Sequence, residues 1–144
     1  MHRRLVDSLY VESMLLADEA RGYFDDAGRR DRDALEPLSR VTFSCESMKV
    51  TTRLMHVIAW LLTQRAVIAG EIRASDALDP SRRLGDSPTT EDGGFALLPD
   101  RAKILVAASI DLHHRVARFD RTQAAPPLVV SPVQMMQQRL AGAF

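Results

Sequence analysis

The sequence is poor in the residues that build most recognisable sites. Cys45 is the only cysteine among 144 residues, so neither an intrachain disulfide nor a thiolate metal cluster is possible. Lys49 and Lys103 are the only lysines, and 19 basic residues balance 19 acidic ones. A chain without net charge has no general electrostatic grip on nucleic acid, which needs a strongly basic face. The longest apolar run, Val57 to Leu62, falls far short of the ~20 residues that span a bilayer. Acids interrupt the amino-terminal stretch from Met1 to Ser13, so it does not read as a signal peptide. The expectation is a soluble, cytoplasmic protein without membrane contact. The glycines are scattered, which removes phosphate-cradling loops, and Gly-x-Ser-x-Gly is absent. Neither His-x-x-x-His nor Glu-x-x-His occurs, and adjacent His113 and His114 point about 100° apart on a helix. No enzyme is expected: no catalytic, cofactor-binding or metal-binding residues stand out.

What the chain does have is a long helical pattern. Between Leu38 and Ala69 there is neither glycine nor proline. Leu38, Val41, Cys45, Met48, Thr52, Met55, Ala59, Leu62, Ala66 and Ala69 recur at helical spacing, the seam of a packed helix. Cys45 reads there as a small buried hydrophobe. A second stripe, Phe43, Val50, Leu54, Val57 or Ile58, and Leu61, faces away from the first. A helix over 33–71 would run on the order of 55 Å, longer than a compact globule with a radius of gyration of roughly 15 Å covers. A second copy of the chain is the simplest cover.

The flanking segments give two shorter helices, over 5–25 and 99–120. Gly28 is suited to a left-handed position after the first, and GRRDRD reads as a charged turn. Pro99 and Asp100 open the third helix. The 73–98 connection is too long for an ordinary turn, and Asp86 to Gly94 carries too little apolar surface to order itself. The fold class expected is all-α: an antiparallel three-helix bundle (1–120) with a long central helix, dimerising, and a flexible, disordered tail (121–144). In the tail, Leu128, Val129, Val130, Val133, Met135, Met136 and Leu140 are too apolar for an inert linker and are candidate partner contacts, with Val133 to Leu140 able to form a short amphipathic helix.

Within the central helix, Met48, Met55, Ile58, Trp60, Leu61 and Leu62 are the candidates for its core and dimer contacts. Glu46, Arg53, Gln64 and Arg65, with Lys49 and Thr51, form a polar edge. It reads either as a solvated face carrying a ladder of paired charges or as part of an interface. Trp60 stands between the two apolar stripes, as a core or dimer anchor.

The stretch Glu46 to Glu71, ESMKVTTRLMHVIAWLLTQRAVIAGE, resembles the central helix of the alphaproteobacterial RcdA family, named for regulation of CtrA degradation. Leu9 to Met14 with Asp18 to Asp25 resembles the family's first helix, and Leu112 to Val116 with Phe119-Asp120 its third. The resemblance implies a dimeric three-helix bundle with a disordered tail and no catalytic activity. It also implies a proteolytic adaptor that helps deliver cell-cycle cargo proteins to the protease ClpXP, alongside a response-regulator-type adaptor, with recruitment to a cell pole. The alternative from another class is an oligomeric helical regulator binding DNA or a small ligand, which lacks a helix-turn-helix signature and a basic patch.

Overall fold

The computed structural model describes residues 2–124 and 132–143. Helix α1 (His2–Gly22) turns Val6, Leu9, Ser13 and Ala20 inward, and the Ser13 hydroxyl donates back to the Leu9 carbonyl. A single π-helical turn, Tyr23–Ala27, follows. Gly28 closes that turn for a steric reason: a Cβ there would lie 2.6 Å from the Tyr23 carbonyl oxygen. Its φ is −77°, so the left-handed conformation expected at this glycine is not adopted. The charged turn proves to be a short helix, α2 (Arg29–Asp33). The Tyr23 hydroxyl donates to Asp31 over 2.6 Å. Burial, then that bond, push the phenol above its ordinary range and keep it neutral.

Helix α3 (Pro37–Ile68) starts on Pro37 in its first turn, where the missing N–H costs nothing, and Gly70 follows it at φ +77°. Its 32 residues make it ~48 Å long. After two 3₁₀ turns (Asp76–Leu78 and Pro80–Arg82) come short α4 (Asp92–Ala96), α5 (Asp100–Ala124) and α6 (Pro132–Ala143). The boundary expected at residue 120 therefore falls inside α5. Leu128, Val129 and Val130 lie outside the described residues. Val133 and Met135 fall within α6, and Met136 and Leu140 are exposed on it.

The all-α bundle stands, with α3 between α1 and α5. Its helix directions differ from the expected arrangement in one pair. Phe43 meets Tyr23 and Phe24 while Arg65 lies over Tyr10, so α1 and α3 are antiparallel. His2 stacks near Phe119 and Glu12 pairs with Arg115, so α1 and α5 are antiparallel too. Consequently α3 and α5 run parallel: Arg53 bonds Ser109, and further along both helices Trp60 bonds Asp120. Parallel neighbours need a crossover, which is why 31 residues (69–99) separate them. The crossover retraces α3 from its carboxyl to its amino end.

The two stripes of α3 also exchange roles. Phe43, Val50, Leu54, Val57, Trp60 and Leu61 are buried, together with Val6, Leu9, Leu105, Val106, Leu112 and Val116. The stripe read as the packed seam faces solvent, with Leu38, Met48 and Met55 exposed by 84%, 71% and 64%. Cys45 is exposed with it rather than buried.

Candidate functional site

Two surfaces of α3 bear on function, one turned inward and one outward. The inward one is the polar set Glu46, Lys49, Arg53, His56, Trp60 and Gln64, which recurs at helical spacing. Glu46, Arg53, Trp60 and Gln64 are all buried, so the solvated-face reading does not hold for these residues. The crossover lies over Glu46 and Arg53, and α5 covers Trp60 with Asp120 and Phe119.

Among the described residues, the strap, residues 83–90, makes no backbone-to-backbone hydrogen bonds from Leu84 to Thr90. Side chains of α3 and α5 hold four of its carbonyls instead. His113 Nε2 lies 2.7 Å from the Gly85 oxygen and His56 Nδ1 2.9 Å from the Asp86 oxygen. A carbonyl only accepts, so each of those ring nitrogens carries the proton. Arg53 Nη2 donates to the Pro88 oxygen and Lys49 Nζ to the Thr89 oxygen, both over 2.7 Å. Arg53 also donates to the hydroxyls of Ser87, Thr90 and Ser109. Thr90 in turn donates to Glu46 over 2.6 Å, and Lys49 pairs with Glu46 at 3.0 Å. The expected charge ladder thus exists in its Glu46–Lys49 rung. Arg53 reaches neutral acceptors rather than the carboxylate. Burial pulls the Arg53 guanidinium below its ordinary range and the nearby Glu46 charge opposes this. The segment expected to be weakly ordered, Asp86 to Gly94, is in its first half pinned residue by residue.

At the strap's start, Arg83 grips Asp120 with two bonds of 2.8 Å, and Trp60 Nε1 donates to the same carboxylate over 2.9 Å. The Asp120 hydrogen bond holds the Arg83 guanidinium above its ordinary range. Asp120→Ala strands the buried indole N–H and frees Arg83. An unfolding free energy lower by about 2 kcal/mol is expected in urea titration, since an unpaired buried donor costs roughly 1–3 kcal/mol. An unchanged midpoint would contradict this role for Asp120.

The outward surface is apolar. Leu38, Val41, Met48, Met55 and Leu62 form a stripe on α3, and on α1 Val11, Met14 and Leu15 are also exposed. Met14 and Met55 face each other across a groove of about 380 Å³ whose floor includes Ala17, Ala20, Phe24, Leu54 and Ile58. Single exposed apolar residues are ordinary, but a row of them along a helix marks a contact surface. Of the residues expected in the core or a dimer contact, Trp60 and Leu61 are in the core, Ile58 is half-buried, and Met48, Met55 and Leu62 are on this surface. Arg65 lies at its end, exposed, over the Tyr10 ring at 4.5 Å. Pattern reading missed His56 and His113 as strap ligands, because their acceptors are backbone atoms that no motif encodes. No helix among the described residues is long and apolar enough to cross a membrane.

No curated protein matches the chain. A solved structure does: RcdA from Caulobacter crescentus CB15 is 34% identical, with a TM-score of 0.69 over 85% of this chain and 92% of that one. The family described as "Protein of unknown function (DUF1465)" matches residues 1–144. Matched over its whole length, and this similar to RcdA, the chain belongs to that family.

Proposed function

We propose that the chain is a non-catalytic, RcdA-like adaptor that promotes regulated proteolysis of cell-cycle proteins by ClpXP. It works by protein–protein contacts, as a homodimer in the cytoplasm, together with a response-regulator-type adaptor. The observation that carries this reading is the apolar stripe from Leu38 to Leu62, which the bundle leaves uncovered along most of α3. A second copy packed there by two-fold symmetry buries it.

The tail supplies a second contact. Met136 and Leu140 are exposed one turn apart on α6, and methionine adapts to several partner surfaces. A tethered weak contact suffices for an adaptor, because tethering raises local cargo concentration at the protease. Ending the chain after Ala124, the last residue of α5, leaves the bundle and its dimer intact and abolishes stimulation of cargo degradation. The check is a degradation time course with purified ClpXP beside sedimentation of the truncated chain. Full stimulation by the truncated chain would move the contact to the helices or the crossover.

A further inference from the structure

We propose that the groove between α3 and α5 is a binding site for an extended peptide, occupied in cis by the strap and open to a matching segment of a partner protein. This rests on the adaptor reading for its biological use, but not for its test.

Three features of the strap carry the inference. First, four of the five carbonyls from Gly85 to Thr89 are held by side chains, those of His113, His56, Arg53 and Lys49. Bonds to main-chain oxygens are available to any extended chain laid in the same direction, as in main-chain recognition of peptides generally. Second, the strap is held by polar groups more than by apolar packing. Of residues 83–90 only Leu84 packs as an apolar side chain against the core. Lifting the strap exchanges most of its bonds for water and leaves a charged, hydrated groove lined by Glu46, Lys49, Arg53 and Asp120 rather than a bare apolar one. Third, the strap is not tightly enclosed. A cavity of about 470 Å³ opens beside it, between its Arg83–Asp86 end and His56, Ala59, Trp60 and Thr63 of α3.

The groove also states what it accepts. Asp120 takes a basic residue through two bonds, at the place of Arg83. Two residues on, only glycine fits: a Cβ at Gly85 would lie 2.6 Å from His56 Nδ1 and 2.7 Å from its Cγ. Further along, Arg53 takes hydroxyls at the places of Ser87 and Thr90. The partner segment is therefore extended, with a basic residue, glycine two positions later and hydroxyl residues beyond.

The probe is the free peptide Arg-Leu-Gly-Asp-Ser-Pro-Thr-Thr, titrated against the full chain. Trp60, the only tryptophan, reports through its indole N–H, which shares Asp120 with the basic residue. A tethered strap competes at an effective concentration on the order of millimolar. In Gly85→Val the added side chain meets the His56 ring and dislodges the strap. The peptide is expected to bind this folded variant at least tenfold more tightly than the unaltered chain, and adding Arg53→Gln removes the gain. A folded Gly85→Val with no gain overturns the proposal. Should that variant not fold, the unaltered chain decides. A shift of the Trp60 signal at millimolar peptide, absent with a scrambled peptide, supports it. No shift, or an equal shift with the scrambled peptide, overturns it.

Discussion

Arg53→Met is expected to lower the melting temperature by on the order of 10 °C and to make the 84–91 backbone protease-sensitive. Arg53 has 0% exposure and four partners: Ser87, Pro88, Thr90 and Ser109. Methionine matches much of its length but none of its donors. Removing the guanidinium leaves the Pro88 carbonyl and the Ser109 hydroxyl without that donor. It also strips buried Glu46 of a nearby positive charge. Removing one member of a buried charged network costs roughly 3–5 kcal/mol. In a domain of this size that corresponds to a shift of roughly 10 °C. Arg53→Lys keeps the charge without the fork and should fall between. Thermal unfolding by circular dichroism and limited proteolysis check both. A melting temperature unchanged in Arg53→Met would mean that the strap is not held through this residue.

Met48→Asp with Met55→Asp is expected to leave the fold intact and dissociate the proposed dimer. Both side chains project from the bundle, so a carboxylate at either site is solvated in the monomer. In a two-fold contact each would be buried unpaired, twice over. A loss of at least about 3 kcal/mol is expected, and this weakens association more than roughly a hundredfold. Sedimentation equilibrium at tens of micromolar should then report a monomer, against a dimer for the unaltered chain. Cys45 gives an independent readout, because it lies on the same stripe. Its reaction with a thiol reagent should slow as the unaltered chain associates and stay fast in the double variant. Equal association by both chains would place the dimer contact elsewhere.

The long helix and its two apolar stripes were legible in the sequence, but not which stripe faces inward. Leu38, Val41, Met48, Met55 and Leu62 make the cleaner hydrophobic pattern, and they are the exposed set. The buried face carries Glu46, Arg53 and Gln64, which any hydrophobicity pattern assigns to solvent. The burial of Arg53 depends on acceptors far away in sequence: Ser87 lies 34 residues and Ser109 56 residues from it. Likewise the parallel course of α3 and α5 was hidden in a connection whose composition resembles a loose loop. The strap orders through its backbone carbonyls, and sequence periodicity carries no trace of those. Gly28 and Gly85 show the same limit from the other side, since each is set by a close approach rather than by its own φ.

The rate at which purified ClpXP degrades a cell-cycle regulator, with the response-regulator adaptor present, tests the adaptor reading most directly. Adding the full chain should accelerate degradation, and the folded Met48→Asp, Met55→Asp variant should show a different dependence on chain concentration because it does not self-associate. A rate that stays the same with and without the full chain, for regulators that co-purify with it, would contradict the reading.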